Sequence, residues 1–140
     1  MSTLRSIAVG YDGSVESETA VRWSAHLAHE TNATLSVVHA TGLLERLGFA
    51  FKENVVPTAV SEIITQSGLD EAHFRWLVDE GDACSVLIRC AGAPVSADLL
   101  VVGSRGQGKR AGMMIGSVSL ELVQHAVTPV VVVPATFVEP

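Results

Sequence analysis

The feature that most constrains this chain is an alternation: short runs of valine, leucine and isoleucine are separated by longer segments with helical spacing. Residues 4–10 (LRSIAVG), 35–40 (LSVVHA), 98–103 (DLLVVG) and 130–133 (VVVV) are short and almost wholly apolar, which reads as strands buried on both faces. Ser14 reads as an N-cap. Glu16 and Glu18 then suit the positive end of a helix dipole, and Ala20, Trp23, Ser24 and Leu27 follow at helical spacing as far as Asn32. Pro57 starts a second helix with Val60, Ile63 and Ile64 on its buried face, and Gly68 closes it. Residues 73–82 alternate Phe74, Trp76 and Val78 with polar side chains, the period of a half-exposed strand near a sheet edge. Residues 82–90 read as a third helix and 118–127 as a fourth that Pro129 stops, while 41–54 is a weakly patterned loop.

Strands alternating with helices at this spacing make βαβ units. The expected fold is therefore α/β: a doubly wound, five-stranded, mostly parallel sheet with right-handed crossovers and helices on both faces. With 140 residues the chain fits a single domain over 1–140, and a domain of this size buries about 68–70% of its unfolded surface. Ligands in such sheets sit beyond the carboxyl ends of the strands.

Charge and composition narrow the function. Nine Lys and Arg against fifteen Asp and Glu give a net charge of −6, which repels a polyanion, so nucleic acid is not expected as a partner. No run reaches about 18 apolar residues, and the N-terminal apolar stretch is broken at Asp12, so neither a membrane span nor a signal peptide is expected. The expectation is a soluble, cytoplasmic protein. Cys84 and Cys90 lie six apart, which is neither the CxxC redox spacing nor a zinc-ligand spacing, and they read as reduced structural thiols.

The chemistry is concentrated after the first and fourth strands, in GYDGS and in GSRGQGKRAGMMIGSVS. The second segment holds Gly103, Gly106, Gly108, Gly112 and Gly116 on the way from a strand to a helix starting at Ser117. Glycines let backbone N–H groups approach an anion, and a helix N-terminus adds unpaired donors and a positive dipole end. Arg105, Lys109 and Arg110 lie here, and no Asp or Glu occurs between Asp98 and Glu121. An acidic chain thus carries one local attractor for a phosphate. Residues 103–109 match the start of the P-loop pattern, but Arg110 stands where Ser or Thr would hold magnesium. Gly112 falls one position late for the dinucleotide fingerprint after Gly106 and Gly108, so a nicotinamide cofactor is not expected.

What the spacing does match is Gly103-x-x-Gly106, nine residues, then Gly116-Ser117. Here the sequence resembles the ATP-binding motif of the universal stress protein family, and the resemblance extends over VGYDGS, VVHA, ADLLVVGSRG and HAVTPVVVVP, essentially the whole chain. It implies an adenine nucleotide alpha hydrolase-like fold and a stress-response or signalling role with ATP bound, Mg²⁺ being held through the phosphates. Carried over by position, the nucleotide-contacting residues are Gly10, Tyr11, Asp12 and Gly13 in the first turn and Val38 as an adenine wall. The phosphate segment contributes Gly103, Ser104, Arg105, Gly106, Gly108, Lys109, Gly116, Ser117, Val118 and Ser119. Each has a plainer role beside this one: Asp12 as a turn former, Val38 as a core residue, Ser117 as a helix cap and His39 as a satisfied strand-end histidine. No catalytic residue is assigned, because Asp12 is the single nearby carboxylate expected. A nucleotide-free interaction module and a slow ATP hydrolase or self-phosphorylating protein stand as the alternatives. The last strand, Val130 to Val133, has no polar guard and falls at an edge if βαβ units add outward, which points to a homodimer paired through it.

Overall fold

Hydrogen bonding gathers the apolar runs into one sheet. The computed structural model describes residues 4–41, 55–104 and 117–138. In chain order the elements are β1 (Ser6–Gly10), α1 (Val15–Thr31), β2 (Thr34–Thr41), α2 (Thr58–Ser67), β3 (Phe74–Glu80), α3 (Ala83–Arg89), β4 (Leu99–Gly103), α4 (Ser117–His125) and β5 (Val130–Val133). The strands lie in the order β3-β2-β1-β4-β5, and every neighbouring pair is parallel. The expected "mostly parallel" sheet is therefore wholly parallel among the described residues. Of the weakly patterned loop only Thr41 is described, as the last residue of β2; residues 42–54 lie outside the described part.

Local chemistry sets the helix ends. Ser14 caps α1 by accepting from the Ser17 N–H, and Asn32 ends it in the left-handed region at φ 59°. Asp82 caps α3 through the Ser85 N–H. α4 ends at His125, short of Val127, which projects into solvent beyond it.

The sheet is covered on both faces, as its uninterrupted apolar strands demand. On one face Ile7, Val9, Leu35, Val37 and Val101 pack with Ala20, Val21 and Ala25 of α1 and Val60, Ile63 and Ile64 of α2. On the other, Ala8, Val38, Leu100 and Val102 pack with Cys84, Val86 and Leu87 of α3 and Leu122 of α4. The chain leaves β1 toward β2 on one side, and returns from β3 to β4 on the other. The carboxyl ends of β1 and β4 therefore flank the point where the winding reverses, the place where such sheets open a crevice.

Candidate functional site

The turn after β1 is tied down by short polar bonds. The Tyr11 N–H donates to the Val38 carbonyl at 2.9 Å, continuing the β1–β2 pairing by one residue. Asp12 Oδ1 then accepts from both the backbone N–H (2.9 Å) and the hydroxyl (2.5 Å) of Ser14. The Ser17 N–H donates to Ser14 Oγ at 3.1 Å, and Ser17 Oγ accepts from the Asp12 N–H at 3.3 Å. Gly13 bridges the turn at φ 87°, a conformation L side chains rarely adopt. Asp12 is thus a turn former, with its second carboxylate oxygen outside this bonding pair. His39 supports the turn from below: buried on β2, its Nδ1 donates to the Tyr11 carbonyl at 2.9 Å. Its ring stacks on Trp76 with centroids 6.2 Å apart, and Tyr11 meets the same indole edge-on at 6.0 Å. Burial, then the negative charges of Glu18 and Asp12, push the Tyr11 phenol above its usual value. Among the described residues the buried indole nitrogen of Trp76 has no hydrogen-bond partner.

The end of β4 is built by close approach. A Cβ on Gly103 would lie 2.6 Å from the backbone oxygen of Glu16, closer than real atoms come, so glycine is required there by the first turn of α1 before any ligand is considered. Ser119, fully inside the fold, donates its hydroxyl to the Gly103 carbonyl at 2.6 Å and so draws the start of α4 onto the same strand end. Ser104 is committed as well, its N–H donating to the Val133 carbonyl and its Oγ accepting from the Ala135 N–H.

The site residues expected from sequence are therefore only partly gathered. Gly10, Tyr11, Asp12, Gly13, Gly103, Ser104, Ser117 and Ser119 converge on one end of the sheet, with Ser117 as the first residue of α4 and Val118 partly exposed beside it. Val38 pairs in register with Gly10 and is buried among Ala8 and Leu87, so it serves the core. Ala40 lies on the same face two residues nearer the carboxyl end and is half-buried. Arg105, Gly106, Gly108, Lys109 and Gly116 lie outside the described residues. Sequence reasoning also missed Glu16. Its position reads as a dipole-complementing acid, yet the residue is only 7% exposed and sits against Gly103.

A fully parallel, doubly wound sheet whose crossover point is flanked by a capped turn and two helix starts is the α/β architecture that opens a ligand crevice at this end of the strands. The model of the universal stress protein family matches residues 3–134, and the chain belongs to that family. A universal stress protein of Mycobacterium tuberculosis strain H37Rv is 31% identical over 150 residues, an overlap of 91% of this chain and 47% of the relative. The chain thus spans about half the length of the mycobacterial relatives it matches. A putative universal stress protein of Staphylococcus aureus strain USA300 is 25% identical and is covered over 86% of its length, against 95% of this chain. Among solved structures, a universal stress protein in complex with cAMP has a TM-score of 0.75 at 27% identity, covering 96% of this chain and 100% of its own. An Archaeoglobus fulgidus family member in complex with dAMP shares the fold at a TM-score of 0.64 and 22% identity, covering 94% and 98%.

Proposed function

We propose that this protein binds an adenine nucleotide at the crossover point between β1 and β4, with ATP as the ligand, and acts as a nucleotide-responsive stress or signalling protein. The observation that carries the reading is the convergence on Gly103. The first turns of α1 and α4 both reach this strand end, through Glu16 and through the Ser119 hydroxyl, so two helix N-termini flank the start of the glycine-rich segment. The solved relative with cAMP bound supports the ligand class. Ala40 lies where a base would meet the sheet mouth, and Gly106, Gly108, Gly116 and the cations Arg105 and Lys109 supply the phosphate contacts. Among the described residues no three His, Cys, Asp or Glu side chains group to hold a metal. The oxygen donors of the turn, Asp12 and Ser14, suit a Mg²⁺ that arrives on the phosphates. The proposed role is that of a nucleotide-binding regulator, and no catalytic residue is assigned; Asp12 shapes the turn through Ser14.

The test is mass spectrometry of nucleotide released from protein purified without added ligand, followed by calorimetry with ATP. Near-stoichiometric adenine nucleotide supports the reading, and Gly116→Ala then weakens ATP binding with the fold intact. An empty protein whose melting temperature ATP does not move overturns it and leaves an interaction module.

We further infer that two copies pair through β5 in the cytoplasm, each chain folding as one unit. β5 is the edge strand, and α4 beside it leaves Leu120 and Val123 about half exposed, an apolar margin that a second copy covers.

A further inference from the structure

One hydrogen bond decides where the β1–β2 ladder stops. Alternation along β2 turns the peptide groups of Val38 and Ala40 toward β1 and those of His39 and Thr41 toward β3, consistent with the bonds from Tyr11 N–H to the Val38 carbonyl and from Gly81 N–H to the Thr41 carbonyl. The next rungs of the parallel ladder would run from the Ala40 N–H to the Tyr11 carbonyl and from the Gly13 N–H to the Ala40 carbonyl. Among the described residues neither is made. The Tyr11 carbonyl is bonded instead to His39 Nδ1 at 2.9 Å, and since a carbonyl can only accept, that nitrogen carries the hydrogen.

The histidine is held for this bond. His39 is buried, its ring lies nearly parallel to the Trp76 indole at an interplanar angle of 11°, and Tyr11 meets the same indole edge-on. By the two-residue period of β2, His39 shares the face of Leu35 and Val37 that packs on α1 and α2, whereas Ala40 shares the opposite face with Val38. The bond therefore draws the Tyr11 carbonyl toward the α1 and α2 side and leaves the peptide edge of Ala40 at the sheet mouth, beyond the end of β1. A peptide edge with a donor beside an acceptor matches adenine, which presents a ring-nitrogen acceptor next to an amino donor. Guanine carries a carbonyl oxygen in place of that amino group, so it sets two acceptors against each other.

Resting on the nucleotide-binding reading above, we propose that His39 is a positioning residue for base recognition: its Nδ1–H withholds the Tyr11 carbonyl from Ala40 and so keeps the Ala40 N–H and carbonyl open to the edge of an adenine. His39 acts through Tyr11 and does not touch the ligand.

Calorimetry with Mg²⁺-ATP and Mg²⁺-GTP, together with amide exchange followed by NMR, tests this on the full chain. In the unmodified protein ATP binds at least about tenfold tighter than GTP. Without nucleotide the Ala40 amide exchanges at least about tenfold faster than the Val38 amide, and at equal occupancy ATP slows it more than GTP does. His39→Leu removes the donor, releases the Tyr11 carbonyl to Ala40 and lowers the preference for ATP over GTP by about fivefold or more. His39→Asn, whose amide can stand where Nδ1 stood, restores most of that preference. A merely structural role would weaken both nucleotides together. An unchanged preference in folded His39→Leu, or an Asn variant that loses as much as the Leu variant, overturns the proposal. Should the Leu variant fail to fold, the unmodified protein still decides, since an Ala40 amide as protected as that of Val38 before nucleotide is added overturns the inference as well. Binding of neither nucleotide defeats the nucleotide-binding reading itself, an outcome distinct from equal binding of both, which overturns only the base preference assigned to His39.

Discussion

The two edges of the sheet face opposite demands. β3, at one edge, turns Arg75, Asp79 and Glu80 to solvent, and Arg89 of α3 reaches across to bond Asp79 at 3.2 Å and the Glu80 carbonyl at 2.8 Å. β5, at the other, is four valines whose side chains are taken up by both faces of the core, with Val131 and Val133 on one and Val130 and Val132 on the other. Its carbonyls at Pro129 and Val133 accept from Leu100 and Ser104, so alternation turns the backbone of Val130 and Val132 outward. Charge at an edge repels an added strand, and a bare apolar edge invites one. The lesson is that β5 turns an unpaired backbone outward while its side chains lie partly or, at Val133, fully in the core, so a change at Val133 tests the core while a backbone change tests the edge.

The largest effect expected is from Val133→Lys. Val133 is 2% exposed, so an unpaired ammonium there costs about 3–5 kcal/mol in urea unfolding. Arg75→Glu on the opposite edge is exposed and changes stability by about 0.5 kcal/mol or less. Equal losses in the two variants would break the contrast. Next comes Val132→Pro, which removes an outward N–H and leaves the β4 ladder whole. It is expected to convert dimers to monomers by light scattering at a stability cost of about 1–2 kcal/mol; a variant that stays dimeric places the contact elsewhere. Arg89→Ala, removing a bridge between two half-exposed side chains, is expected to cost about 0.5 kcal/mol and leave assembly unchanged.

The smallest effect concerns acid. Two hydrogen bonds from Ser85 hold the Asp82 carboxyl below its usual range, ahead of the smaller influence of Arg89. A group whose folded value is lowered stabilises above its unfolded value, and that contribution fades as pH falls through the lowered one. Exchange of the Ser85 amide should therefore accelerate in acid below the ordinary carboxylate range, and Asp82→Asn, which keeps a cap, should flatten the dependence. An Asn variant with the same acid response would move the cause away from Asp82.

Much of the fold was legible because its signals are local. Ser14, Asn32, Gly68 and Asp82 cap their helices through bonds to neighbours a few residues away, and the strands read from runs of apolar residues. The site was harder. Gly103 reads as a phosphate-loop glycine, yet the crowding by Glu16 explains it without a ligand; Ser119 reads as a phosphate contact, yet its hydroxyl closes on the Gly103 carbonyl. Sequence shows which residue types can approach an anion, and not which of them the fold has already engaged.

Patterning within the chain by itself determined the elements, their order and the need to cover both faces of the sheet, since periodicity and capping act over one or two turns of backbone. Tertiary structure alone decided that β1 lies between β2 and β4, that Asp98 on the approach to β4 accepts the backbone N–H groups of Arg5 and Ser6, and that Glu16 is buried against Gly103. Those contacts join residues some ninety positions apart. Local preference cannot select among such partners; the requirement that two helical layers bury both faces of one twisted sheet does.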